Sequence, residues 1–167
     1  MRMDEELFEA VVNDDNEAVT RLLEMGGDVN TRDEDGNFTL LMEACFNNNK
    51  ELVKFLLTKS ADVNETGERG WTALIIAAME GCQEIVDVLL KSEDININKK
   101  DRRGMAAIHY AAKCNHVTIV ERLLACSVPV DINDNYGCTP LWYAACNGYV
   151  HCVDILLKHG ASPQHER

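Results

Sequence analysis

Apolar residues return along this chain in a fixed rhythm. Leucine pairs stand at Leu22-Leu23, Leu56-Leu57, Leu89-Leu90, Leu123-Leu124 and Leu156-Leu157, spaced 34, 33, 34 and 33 residues apart. A period of 20 to 50 residues is the mark of stacked repeats, and five units follow. Seventeen residues before each of the last four pairs comes a second landmark, opening at Thr39, Thr72, Ala106 and Thr139 and closing on a pair of small residues. The landmark-to-leucine distance is constant, so the one-residue change in period falls in the stretches 24–38 and 91–105, each one residue longer than its counterparts.

Each landmark predicts a short helix. Thr or Ala begins it, and Pro140 sits in the first turn of the last, where its missing N–H costs nothing. The helix ends at Asn48, Gly81, Asn115 or Gly148, residue types that accept a left-handed backbone. A second helix then runs to the leucine pair. Its apolar stripe, as in Ile85, Val86, Leu89, Leu90 and in Val150, Val153, Leu156, Leu157, implies burial on one side, with Asp87, Glu121 and Asp154 facing water. Polar turn residues lead on to the next unit. Neither helix can bury its face alone, so the units must stack into a continuous core.

Thr-Pro-Leu before an alanine pair, Gly-x-x-x-Ile-Val-x-x-Leu-Leu and Asp-Val-Asn before a turn make residues 4 to 165 resemble the ankyrin-repeat family. The resemblance implies an all-α solenoid with protruding turns, a single domain over residues 1–167 with repeats at about 4–32, 33–65, 66–99, 100–132 and 133–165. One departure stands out. The position of the family's histidine holds Met42, Ile75, His109 and Trp142, and His109 follows Ala106 rather than threonine, so the family's threonine-to-histidine bonding is expected to be broken and the turns less rigid. Trp142 is expected in the core. Asn30, Asn64, Asn98 and Asn133 are expected to tie the turns through their side chains, and resemble positions hydroxylated in this family.

The first unit carries Glu5, Glu6, Asp14, Asp15 and Glu17, as a solubilising end repeat needs. The last, with Val150, Cys152, Val153, Ile155 and Leu156, reads like an internal repeat, leaving either a bare outer side or a piece of a longer array.

The resemblance also implies where a partner binds: a concave side made of turn tips and the flank of the first helices. Just before each threonine position stand Phe38, Trp71, Met105 and Cys138, expected within reach of solvent. Four residues after it come Glu43, Ile76, Tyr110 and Tyr143, and three further on Phe46, Met79, Lys113 and Cys146, on one flank by helical spacing. Ile76, Tyr110 and Tyr143 fit either the groove or packing between repeats. Turn tips add Asp35, Arg69, Arg103 and Tyr136. Exposed aromatic clusters mark interaction surfaces, so the expected function is non-catalytic binding of a protein or peptide. Scaffold or assembly use, a fragment of a longer array, and inhibition of an enzyme or transcription factor are the alternatives.

Charge sharpens this reading. The chain has net charge −12, and residues 1–50 hold thirteen acidic against four basic residues. Such a field repels nucleic acid and anionic lipid and attracts a partner of basic and apolar character. Lys99-Lys100-Asp101-Arg102-Arg103 reverses the sign locally; a solvated loop, an import signal and a phosphate contact all fit it.

Composition fits a folded chain, with 46% hydrophobic and 26% charged residues. No run of eighteen apolar residues occurs, and the opening Met-Arg-Met-Asp-Glu-Glu lacks the pattern of a signal peptide. Seven cysteines without a Cys-x-x-Cys pair read as reduced thiols, Cys45 and Cys152 buried, Cys82, Cys138 and Cys146 more exposed. An intracellular setting, cytoplasmic or nuclear, is expected, so the sequons at Asn37 and Asn64 are read as accidental. His109, Cys114 and His116 lack metal-site spacing, and no phosphate loop, nucleophile elbow or His-Glu-x-x-His helix is present, so neither cofactor nor catalysis is expected. The chain is expected to be monomeric, with self-association through the C-terminal repeat as the alternative.

Overall fold

The computed structural model describes residues 3–163. Ten helices lie in five antiparallel hairpins: α1 (Met3–Val12) with α2 (Asn16–Glu24), α3 (Leu40–Phe46) with α4 (Lys50–Thr58), α5 (Ala73–Glu80) with α6 (Gln83–Leu89), α7 (Ala107–Lys113) with α8 (Val117–Ala125), and α9 (Pro140–Cys146) with α10 (Val150–Lys158). The odd helices pack on one another in chain order to form an inner layer, and α4, α6, α8 and α10 form an outer one. This is the all-α solenoid that the rhythm of leucines predicts.

Local chemistry sets the ends. Thr39, Thr72 and Thr139 are extended N-caps whose hydroxyls accept the N–H of Met42, Ile75 and Trp142, satisfying a donor that an α-helix leaves over. The hairpins reverse at Asp14, Asn48, Gly81, Asn115 and Gly148, with φ of 55°, 54°, 76°, 61° and 72°, the left-handed turn that Asn, Asp and Gly tolerate.

Between hairpins the chain projects as a turn held by carboxylates. Asp33 Oδ1 accepts the N–H of Asn37 and Phe38, Asp101 Oδ1 those of Arg103 and Met105, and Asp134 Oδ1 those of Tyr136 and Cys138. The turns are therefore tied without the threonine-to-histidine motif. The expected breakage is itself only partial. His109, fully buried, accepts the Ala106 N–H at Nδ1 (3.0 Å) and donates from Nε2 to the Cys138 carbonyl of the next repeat (3.2 Å), while the Met42 thioether accepts the Thr39 N–H at 3.5 Å. Asn30 and Asn64 do more than shape their own turns. Their Oδ1 atoms accept the N–H of Asp62 and Asn96 one repeat on, at 2.9 and 2.7 Å.

One apolar core runs unbroken from Leu7 to Ala161. Of the polar residues expected to face water, Glu121 and Asp154 do, whereas Asp87 is half-buried and paired with Arg122. The end of the stack departs from expectation. Trp142 is 39% exposed, because the counterparts Met42, Ile75 and His109 are covered by the following repeat and no described helix follows α10; Val150, expected in the buried stripe, is 71% exposed at a helix-start position where Gln83 is exposed as well. Of the cysteines, Cys45 and Cys152 are buried as expected, Cys82 and Cys138 are buried against expectation, and Cys114, Cys126 and Cys146 are exposed.

Candidate partner-binding groove

Three cavities run in succession along the turn tips and the first-helix flank. The first, about 800 Å³, lies between α1 and the first projecting turn and is lined by Phe8, Val12, Arg32 and the carboxylates of Asp4, Glu5, Glu9, Asp33, Glu34 and Asp35. The second, about 270 Å³, shares Asp33 with it and adds Phe38, Arg69 and Trp71. The third, about 630 Å³, shares Arg69 and Trp71 and continues to Met79, Tyr110, Arg102, Arg103 and Lys113. Shared walls make them one channel whose lining turns from acidic to basic.

The exposed apolar surface of this channel is modest. Val12 is 49% exposed; Phe46, 50% exposed, lines none of the three cavities but meets Phe38 of the second edge to face with centroids 6.1 Å apart. Trp71 is half-buried, with Arg69 over its ring at 4.9 Å and its Nε1–H donated to Tyr110 Oη at 3.1 Å. Such stacking holds the guanidinium without neutralising it.

The flank position four residues into each first helix has a structural logic that only the fold reveals. In three of the four repeats it interacts with the residue that closes the turn of its own repeat. In the last two repeats a tyrosine hydroxyl donates to the turn aspartate: Tyr110 to Asp101 Oδ2 at 2.6 Å and Tyr143 to Asp134 Oδ2 at 2.7 Å. Burial, then the Asp101 hydrogen bond, pushes the Tyr110 phenol up to about 12; Tyr143 moves the same way for the same causes. Burial raises the Asp134 carboxyl, but donors from Tyr143, Cys138 and Tyr136 outweigh it and hold it below its ordinary value. In the third repeat the corresponding positions hold Ile76 and Gly67, neither of them charged. In the second they hold Glu43 and Asp33. Glu43 is pushed above its ordinary value by burial and then by the Asp33 charge, a like-charge pair of which Asp33 lines the groove.

The family model for ankyrin repeats (three copies) matches residues 7–101 and again 93–167. The chain belongs to the ankyrin-repeat family. A 47-residue stretch is also 43% identical to part of the potassium channel AKT2/3 of Arabidopsis thaliana, covering 28% of this chain and 6% of that protein. The chain thus spans a small fraction of the channel's length. Ankyrin repeats are in general protein–protein interaction modules, and the family is typically non-catalytic. Among the described residues no helix is long and apolar enough to cross a membrane.

Against this ankyrin frame the sixteen expected contact residues separate cleanly. Asp35, Arg69, Arg103, Tyr136, Phe46, Lys113 and Cys146 are exposed, and Phe38, Glu43, Trp71, Met79 and Tyr143 are half-buried. Four are not on the surface. Met105 (1% exposed), Cys138 (8%), Ile76 (0%) and Tyr110 (6%) are buried, Met105 with its thioether against the Tyr143 hydroxyl of the next repeat, Cys138 between its own turn's Asp134 and His109 of the preceding repeat, and the last two between adjacent first helices, so of the four only the edge of Tyr110 touches the groove. Tyr136, though 77% exposed, lines none of the three cavities. Sequence reasoning missed Phe8 and Val12 of α1. Their apolar type within an acidic helix was the available signal, and it was absorbed into the idea of a solubilising cap.

Proposed function

We propose that this ankyrin-repeat chain is a non-catalytic binding module that holds an extended segment of a partner protein along the channel of the first four repeats. The observation that carries the reading is the succession of the three cavities, which share Asp33, Arg69 and Trp71, with apolar ground at Phe8 and Phe38 and with Phe46 exposed beside Phe38. A segment seated there is selected by charge at the acidic end, where thirteen of the first fifty residues are Asp or Glu, so its first part is basic and apolar. An intracellular site, cytoplasmic or nuclear, belongs to the same proposal and rests on seven thiols, all unpaired.

Capture from a lysate with the wild type, with Phe46→Asp/Arg69→Glu and with the outer-layer control Lys91→Glu tests it. All three substitutions are at exposed positions, so folding should be equal by circular dichroism. Partners retained by the control and lost by the groove variant are expected; an identical set from all three proteins refutes the groove.

A second reading is favoured by one observation. The outer side of α9 and α10 exposes Trp142 and Leu157 around a cavity of about 230 Å³ lined also by Leu141, Val153 and Pro163. In every earlier repeat that side carries the next one. It therefore fits end-on stacking against a further repeat or a second copy, and the solution mass of the same protein distinguishes this from the monomer expected for a stand-alone module.

A further inference from the structure

The third cavity carries an excess of positive charge in a chain of net −12. Its cations are Arg69, Arg102, Arg103 and Lys113, its carboxylates Glu68 and Asp101. The four ion pairs among the described residues join Arg32 to Glu65, Lys50 to Glu84, Lys54 to Glu51 and Arg122 to Asp87, so none of the cavity's four cations is paired. Arg69 and Lys113 are instead held over the faces of Trp71 and Tyr143, at 4.9 and 5.8 Å. Asp101 is 7% exposed and spent on the Arg103 and Met105 N–H groups and the Tyr110 hydroxyl. It fixes the turn that presents the arginines.

Resting on the groove reading above, we infer that this cavity is an anion subsite for a phosphorylated side chain of the bound peptide. Four cations against two carboxylates leave two positive charges, which a phosphate monoester of about −1.5 to −2 at neutral pH matches and one carboxylate does not. Guanidinium groups supply the forked donors that phosphate oxygens accept. The apolar floor of Trp71 and Met79 receives the carbon part of the residue. Other phosphate carriers do not suit the whole channel. Nucleic acid or a lipid surface laid across these turns would meet the carboxylates around Asp33, whereas a peptide can present a basic residue to Asp33 and its neighbours Glu34 and Asp35 and its phosphate further along. With repeats about 10 Å apart and about 3.3 Å per extended residue, the one to two repeats between Asp33 and the cavity's arginines put the two charges about three to six residues apart in the ligand.

The test uses the whole chain and degenerate peptide arrays with a fixed central phosphoserine, phosphothreonine or phosphotyrosine, beside the same arrays without phosphate. Expected are selected peptides that bind about tenfold or more tighter than their dephosphorylated forms, with Lys or Arg enriched on one side of the phosphoresidue. Arg69→Ala/Arg103→Ala, whose side chains are exposed, should abolish that preference, bringing the phosphopeptide's affinity down to that of its dephosphorylated form measured on the same variant. Binding of peptides with no phosphate preference overturns the subsite and leaves the groove standing. Binding of no peptide overturns both. A phosphate preference that survives the double variant, or displacement by inorganic phosphate alone as effectively as by phosphopeptide, overturns the assignment to a peptide in this cavity.

Discussion

His109 joins the fourth repeat to the fifth, and replacing it with leucine tests whether that joint is polar in origin. The imidazole lies at 0% exposure between two backbone groups, the Ala106 N–H and the Cys138 carbonyl, in residues themselves 0% and 8% exposed. Leucine fills similar space and strands both. Each unsatisfied buried group costs about 1–3 kcal/mol, so about 3 kcal/mol is expected after some gain in apolar contact. For a chain of this length about 1 kcal/mol shifts the midpoint by about 2–4 °C, giving a loss of about 6–12 °C by far-UV circular dichroism. In a repeat stack the loss need not be shared equally. Trp142 lies in the fifth repeat, so its emission should change at lower urea than the ellipticity does. Acid supplies a second arm. Burial holds the His109 pKa below its ordinary value, against the pull of Asp134 and the backbone acceptors. The folded state then binds fewer protons than the unfolded chain near pH 6. The stability that the neutral ring contributes is full above about 6.5 and is lost as pH falls toward the folded value. The advantage of wild type over His109→Leu should therefore shrink between about pH 7.5 and pH 5. A cost below about 1 kcal/mol at pH 7.5, or an unchanged difference at pH 5, would refute the reasoning.

Two further outcomes follow from the turns. A Cβ on Gly67 would lie 1.7 Å from the Asn37 carbonyl oxygen, whereas one on Gly36, at φ 67°, meets nothing within 4 Å. Gly67→Ala should lower stability by about 3 kcal/mol through the backbone shift it forces, Gly36→Ala by about 1 kcal/mol from backbone conformation alone, both read from urea midpoints. Glu43→Gln should stabilise the chain at neutral pH by a few tenths of a kcal/mol, the scale of a relieved like-charge pair. Because the folded Glu43 pKa is raised, its unfavourable charge is absent below the ordinary carboxylate range and appears as pH rises through the folded value. The gain should accordingly vanish near pH 4, and a gain that persists there would locate its cause elsewhere.

Periodicity by itself determined the architecture. Leucine pairs 33 or 34 residues apart, Thr caps and Asn or Gly stops are local statements about burial and backbone conformation, and each helix obeys them in its own short segment. The acidic start was equally legible, since formal charge needs no geometry. Exposure was not. Whether Met105 and Cys138 meet solvent depends on their packing against neighbouring repeats, Met105 against Tyr143 of the next and Cys138 against His109 of the one before, and Trp142 is exposed where Met42, Ile75 and His109 are covered, so residues alike in sequence position differ in surroundings. Tyr110 and Tyr143 read as groove aromatics, yet their hydroxyls belong to Asp101 and Asp134 nine residues earlier. The cationic cavity gathers Arg69, Arg103 and Lys113 from two successive turns and a helix. Apolar period is set along the chain, whereas the pairing of charges and hydroxyls is set by stacking across it, and only the tertiary structure decides which side chains are left for a partner.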